Sequence, residues 1–594
     1  MDRTAWLYDT ATGLLTNKLY SDNHGPSYSY APDGKLLTRT WARGVVTTYT
    51  YDPAGQLTSV SYSDGTPGTS FTYNRLGQQS SITDATGTRT FTYNDALQLA
   101  AETNTQGVLQ YTFDPQGRPV GLDAGPNYSV RYGFDAQGRF STVSNNAAGA
   151  VGTATYSYVS GSDLVAGYTT DTPFSLMRVY EPNRNLIASI TNSFGAVSLS
   201  RFDYVNDQIS HRVQRKDVDL STVTSNLFAY NARSELTNAQ LSTNGFYYSY
   251  DPIGNRVAAT NNTEVWSYAA NSLNQYSQIT NNQLPITASY DLDGNMTGYK
   301  DWTFAWDAEN RLVLASNATT VVSNLYDYMS RRVAKVVNGQ VFSYTYQGWA
   351  MIGESRATST NSYVYGLDLS GTAQGAGTIG GILSVTANQD GATTTAFYGS
   401  DANGNVTALV GTNGAVLASY SYDPFGNTLA KSGDLADVNP FQFSTKYLDS
   451  ETGLYYFGYR SYQPELGRWT AKDPISEIGL LNVTSSDVLD VYTHADSGTV
   501  LGINLYNYVY NEPVRLYDYL GLGWQVINID WFDAADNTGL CCSGVRRYTK
   551  WTYREYIIKI LGVPVWYPST PEHYKTYIYR DRCLAPDETD GAPA

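Results

Sequence analysis

The residues able to do chemistry are sparse and scattered along this 594-residue chain. Its four histidines, His24, His211, His494 and His573, are too dispersed to share a zinc ion, and no H-E-x-x-H pair occurs. Its three cysteines, Cys541, Cys542 and Cys583, lack the spacing of a thiolate metal site, which leaves a disulfide to Cys583 or free thiols. Gly375-x-Gly377-x-x-Gly380 spells the glycine fingerprint of dinucleotide sites. No βαβ unit surrounds it, so a loop is expected. Asp291-x-Asp293-Gly294-Asn295 opens like a calcium loop, but its glycine is misplaced and Trp302 stands where the bidentate Glu belongs. It reads as a turn, and no cofactor or metal is implied. Basic and aromatic residues interleave at 546–559 and 573–582, where a nuclease would use His573 with Lys575, Arg580 or Glu572. One histidine among basic residues is a weak signal.

The elements that must position any site repeat with a period of about 21 residues. Tyr30, Tyr51, Tyr73, Tyr93, Phe113 and Phe134 are spaced by 20 to 22 residues, and an Asp or Asn follows each closely. The pattern returns at Tyr230, Tyr250, Tyr290, Trp306, Tyr326 and Tyr422. Within a unit, aromatic and Thr alternate, as in Phe71-Thr72-Tyr73, the signal of a half-buried strand. The acidic or amide side chain then starts a turn, and Gly supplies positive φ. A second strand such as 56–60 follows, so each unit is a strand–turn–strand hairpin. Stacked hairpins predict one long twisting sheet. Tyrosine suits the recurring position because its ring packs on the next rung while its hydroxyl reaches water. An array of sandwiches or a propeller is the rival architecture, but propeller blades need about 40 residues.

Composition supports this. Only 15% of residues are charged, while Tyr and Gly each occur 52 times. Helix formers are scarce, which excludes a helical bundle or coiled coil. With 42% hydrophobic residues the chain can bury a large core. The net charge of −16 argues against nucleic acid as a partner of the shell. No apolar run is long enough for a membrane span, and no signal peptide is visible.

The Tyr-Asp units resemble the YD repeats of RHS proteins. Residues 363–371 (YVYGLDLSG), 398–427, 443–464 (FSTKYLDSETGLYYFGYRSYQP), 467–475 (GRWTAKDPI) and 502–522 (GINLYNYVYNEPVRLYDYLGL) resemble the RHS-repeat-associated core. The resemblance covers about residues 5–522. It implies an all-β fold, a spiralling YD-repeat hairpin sheet forming a hollow shell, or cocoon, capped by the core. The implied division is 1–360 for the repeat shell, 361–522 for the core and 523–594 for a variable C-terminal segment. It also implies that the core is an aspartic protease that cuts its own chain and releases a C-terminal cargo, commonly a toxin. Animal relatives use a similar shell in cell adhesion.

An aspartic protease needs two carboxylates close enough to share one proton. The resemblance places these at Asp473 and Asp518, with Arg468 as a supporting residue bonded to a carboxylate and Leu522–Gly523 as the scissile bond. Three departures stand out. Ser476 replaces the usual Gly of the first motif, and Tyr519 replaces the usual Pro of the second. The aspartates lie 45 residues apart, about twice the family interval, with an extra segment at 480–500 between them. Two readings follow: a working dyad, or turn-forming aspartates at strand ends.

The expected function is a secreted or cell-surface shell that encloses and releases residues 523–594 in interbacterial competition. An immunity protein and an N-terminal delivery or plug partner are the implied partners. The alternative is an uncleaved adhesion protein that binds carbohydrate or another cell. The chain starts within the repeats, so the shell is expected to be open at one end or to need a partner.

Overall fold

In the computed structural model of the chain, residues 3–147, 150–219, 222–282, 284–474, 499–501, 504–518, 520–522 and 524–525 are described. Ser476, Tyr519, Gly523, the insertion up to residue 498, the three cysteines, and Glu572, His573, Lys575 and Arg580 lie outside them. The described residues form an all-β molecule with two single-turn 3-10 segments. Consecutive strands pair antiparallel, hairpin after hairpin, from Arg3–Tyr8 to Leu284–Ile286. Strand Thr499–Leu501 adds to the free side of Arg3–Tyr8, making 28 strands in this sheet.

The ladder does not continue as the single sheet expected. A second sheet of 14 strands starts at Ala288–Tyr290 and ends at Thr428–Ser432. The break follows Pro285, which has no N–H to offer a further ladder bond. The second ladder runs uninterrupted across residue 360, where the core was expected to begin. This hairpin-by-hairpin pairing is not that of a propeller or a sandwich array.

Each unit is built as its residues dictate. Strands Val46–Tyr51 and Leu57–Tyr62 flank a turn in which Asp52 Oδ1 accepts the Gln56 N–H at 2.9 Å. The Gly55 N–H donates to the Asp52 carbonyl at 2.9 Å, with Gly55 at φ +85°. Asp114 and Arg118 repeat the arrangement, also at 2.9 Å. Where Gly is missing the left-handed φ persists: Leu97 holds it at +62° and Asn310 at +56°.

The recurring tyrosine differs from expectation. Its hydroxyl donates to a backbone carbonyl of the preceding unit. Tyr51 reaches Leu36 at 2.9 Å, Tyr73 reaches Leu57 at 2.7 Å and Tyr93 reaches Gln79 at 2.8 Å. The ring leans along the sheet, so the nearest acceptor is the neighbouring rung.

The sheet curls so that its first hairpins meet the turns of later ones. Trp41 Nε1 donates to the Ala308 carbonyl at 2.7 Å, Arg39 pairs with Glu309 at 2.6 Å, and Arg43 Nε meets Asp293 at 2.7 Å. Asp291-x-Asp293 is thus a repeat turn, with the Asn295 N–H on Asp291 Oδ1 at 2.8 Å. Inside the curl, Tyr49, Phe71 and Phe91 share a buried cluster with Tyr328, Trp349, Leu520 and Leu522. A small four-stranded sheet, Tyr447–Asp449 through Arg468–Trp469, fills the interior with Tyr455, Tyr462 and Trp469, each fully buried. The closing residues 504–522 pack onto it through Tyr508, whose ring centroid lies 4.3 Å from that of Tyr462.

Candidate functional site

Arg460 sits between two strands of the small interior sheet, just before Ser461–Gln463. Its guanidinium carbon lies over the buried Trp469 ring, 4.1 Å from the centroid, which helps fix its direction. From there it reaches four acceptors. Nη2 donates to Asp473 Oδ2 at 2.7 Å and to Asp518 Oδ2 at 3.2 Å. Nε donates to the Gly521 carbonyl at 2.5 Å, and Nη1 to the Leu505 carbonyl at 3.2 Å.

Asp473 and Asp518 therefore converge on one nitrogen despite their distance in sequence. Asp473 follows the small sheet's last strand, and its N–H is tied to the Leu505 carbonyl at 3.1 Å. Asp518 ends the strand Tyr517–Asp518, which pairs with Trp524–Gln525, so the chain reverses between them. Asp518 Oδ1 closes that reversal, accepting the N–H of Gly521 at 2.8 Å and of Leu522 at 3.1 Å. Burial pushes the Asp518 carboxyl up to about 6, against the pull of Arg460 and with the added push of the Asp473 charge. One buried acid, one partly exposed acid and one cation thus meet on the residues that precede position 523. A cavity of about 30 Å³ opens beside Asp473 and Arg460, walled by Tyr20, Arg39, Trp41 and Lys472. It has room for about two water molecules.

Arg468 does not take the role expected of it. Its Nη2 donates to the Asn274 carbonyl at 2.5 Å, and its guanidinium stacks 4.1 Å from Tyr276 and 4.9 Å from Tyr506. In a strand, side chains alternate faces, and Arg468 points toward the repeat sheet rather than the dyad. Arg460, which the sequence reading missed, holds both carboxylates. Gly375-x-Gly377-x-x-Gly380 is a loop between Ser359–Tyr365 and Ile382–Gln389, organised by buried Asp368, which accepts the N–H groups of Ala376 and Thr378.

Compared with known families, residues 168–500 match the teneurin YD-shell model and residues 30–67 the RHS repeat model. The tRNA3(Ser)-specific nuclease WapA of Bacillus spizizenii is 31% identical over 47% of this chain, an alignment covering 11% of that protein. Double-stranded DNA deaminase toxin A of Burkholderia cenocepacia is 22% identical over 81% of this chain and 38% of its own length. Toxin subunit YenC2 of Yersinia entomophaga is 26% identical over 48% of this chain and 29% of its own. This chain thus spans well under half the length of these curated relatives. Among solved structures, TcdB2–TccC3 superposes with a TM-score of 0.72 at 17% identity, over 87% of this chain and 29% of that one. At that identity the likeness is one of fold.

Proposed function

The chain belongs to the teneurin YD-shell family, and from that premise we propose that it is a toxin-delivery shell that cuts itself after Leu522. In this reading the parts are 1–360 for the shell, 361–522 for the core and 523–594 for the cargo, acting outside the cell in competition between bacteria. An immunity protein and an N-terminal delivery partner belong to the same reading. The observation that carries it is the convergence of Asp473 and Asp518 on Arg460, with Asp518 also holding the N–H of Leu522. Relatives named as toxins and toxin subunits support the delivery role.

The chemistry is hydrolysis. Asp473, facing the small cavity, takes a proton from a water whose oxygen bonds to the Leu522 carbonyl carbon. Asp518, whose carboxyl burial pushes up to about 6, is the acid of the pair that carries the proton, and it donates it to the carbonyl oxygen. Arg460 orients both acids and balances the charge between them. The C–N bond then breaks, the nitrogen of Gly523 gains a proton, and the products are a Leu522 carboxylate and a Gly523 amine. Denaturing gels of the wild type and of Asp473→Asn and Asp518→Asn test this. The wild type runs as two pieces and the variants as one; intact wild-type chain after native incubation sinks the reading.

A second reading rests on the same Asp518. Its bond to the N–H group four residues on matches that of the repeat turns, as with Asp52 and Asp114. An uncleaved surface protein that binds carbohydrate or another cell would need no more than that turn.

A further inference from the structure

The first hairpin of the sheet grips the chain on both sides of Asp473. Its strands are Arg3–Tyr8 and Leu15–Leu19. Ala5 pairs with Leu19 on one side and with Thr499 on the other, and Thr4 and Arg3 continue the second pairing with Val500 and Leu501. Tyr20, next after Leu19, is buried, and Lys472 Nζ lies 3.6 Å from the centroid of its ring. Lys472 directly precedes Asp473. On the other side, the chain that leaves Leu501 leads to Leu505. The Leu505 carbonyl accepts the Asp473 N–H at 3.1 Å and Arg460 Nη1 at 3.2 Å. One hairpin thus holds the residue before the acid and the strand that leads to the acid's backbone partner.

The neighbouring turn shows where this hairpin sits. Trp41 and Arg43 seat it on the second sheet through the Ala308 carbonyl and Asp293. In the turn that holds Asp293, the Gly294 carbonyl accepts the Tyr506 hydroxyl at 2.7 Å, so the seam and the Leu505–Tyr506 segment share one turn. Asp518 and Arg460 are held differently, by the reversal up to Leu522 and by the interior sheet. We infer that the first hairpin is a closure check on the dyad: Asp473 is held beside Arg460 only after the sheet has curled until that hairpin meets Lys472 and Thr499–Leu501. The inference rests on the self-cleavage reading above and adds when the cut is made.

The consequence is an order of events. The first hairpin and Asp473 lie far apart in the chain, so the completed curl is what brings them together. An unseated hairpin releases the grip on either side of Asp473. It also opens the small cavity beside the acid, because Tyr20 and Trp41 are part of its wall. A reacting group displaced by about 1 Å can cost about a hundredfold in rate. The cut therefore follows closure, and residues 523–594 are not severed from a shell still open along this seam.

The test follows the full chain, made in a brief cell-free pulse and chased in native buffer. Denaturing gels read the cut, and resistance to added protease reads the closed shell. Val500→Pro is the main variant, because proline fits poorly in the middle of a three-residue strand, and it leaves the pairing of Arg3–Tyr8 with Leu15–Leu19 in place. Tyr20→Leu, which removes the ring at Lys472, serves if proline prevents folding. Ala430→Pro puts the same insult into Thr428–Ser432, the last strand of the second sheet. The expected result is wild type that becomes resistant before it is cut, and a resistant hairpin variant cut at least about tenfold more slowly, with Ala430→Pro cut at the wild-type rate. A resistant hairpin variant cut at the wild-type rate, equal slowing by Ala430→Pro, or wild type cut before it becomes resistant overturns the inference and leaves the self-cleavage reading intact. Failure of both hairpin variants to form a shell also overturns it, because the contacts then serve folding alone. Wild type that closes and is never cut overturns both.

Discussion

Asp518 accepts the backbone N–H of Leu522 at 3.1 Å, so the acid and the bond it is proposed to cut belong to one reversal of the chain. The same carboxylate offers its other oxygen to Arg460 at 3.2 Å. The geometry proposed for cleavage is therefore set within the five residues from Asp518 to Leu522, and Arg460 holds it from outside.

Arg460 is the residue whose loss should be felt most. Lys carries the charge but cannot reach two carboxylates and two carbonyls from one planar head. Arg460→Lys is expected to slow cleavage at least about tenfold, equivalent to about 1.4 kcal/mol of barrier. Arg468→Lys should slow cleavage clearly less than Arg460→Lys in chain that folds, since Arg468 contacts Asn274 and two tyrosines instead of the acids. Side-by-side time courses on gels decide this, and equal losses would return Arg468 to the site.

The two arginines show what a sequence can and cannot reveal. The repeat, the Asp turns and the strand alternation are local facts, written in spacings of two to 22 residues. Asp473 and Asp518 could be found because they sit in recognisable runs. Arg460 lies in such a run too, within 443–464, but its role is not legible there, because it depends on the interior sheet bringing it to Asp518, 58 residues further on. The break has a local sign, Pro285 inside a strand pattern. The carbonyl partner of the tyrosine hydroxyl is not legible either, because alternation tells which face a ring takes, not how it leans along the sheet.

That lean can be measured. Tyr73→Phe removes the O–H bond to the Leu57 carbonyl and little else. It should lower stability by about 1 kcal/mol, read from the denaturant midpoint. An unchanged midpoint would mean that water satisfies the hydroxyl equally well.

Leu97 occupies a glycine's place. It holds φ +62° while its side chain is half exposed, and Gln78 bonds only its carbonyl. The left-handed conformation costs an L-residue roughly 1–2 kcal/mol, part of which glycine gives back in chain entropy. Leu97→Gly should therefore raise the melting temperature, whereas Gly117→Leu, at φ +82° in the next unit, should lower it.

Asp423 should make stability depend on pH in the opposite sense to most carboxylates. Burial pushes it up to about 6 from an ordinary value of 3.8, against its bonds to Asn427 and Phe425. The folded chain then binds more protons than the unfolded one between those values. Its contribution is present below pH 3.8 and is lost as pH rises through about 6. Asn at this position does not titrate. The melting temperature of Asp423→Asn relative to wild type should rise between pH 4 and 7, by the equivalent of roughly 2–3 kcal/mol. A difference that stays flat with pH would place the pKa of Asp423 near its ordinary value.

The account depends most on the fate of the Leu522–Gly523 bond, and an intact-mass measurement of the purified wild-type chain under denaturing conditions addresses it directly. The account predicts two species, one ending in a free carboxylate at Leu522 and one beginning with a free amine at Gly523, together heavier than the chain by one water. A single species at the full 65.3 kDa after native incubation would contradict it.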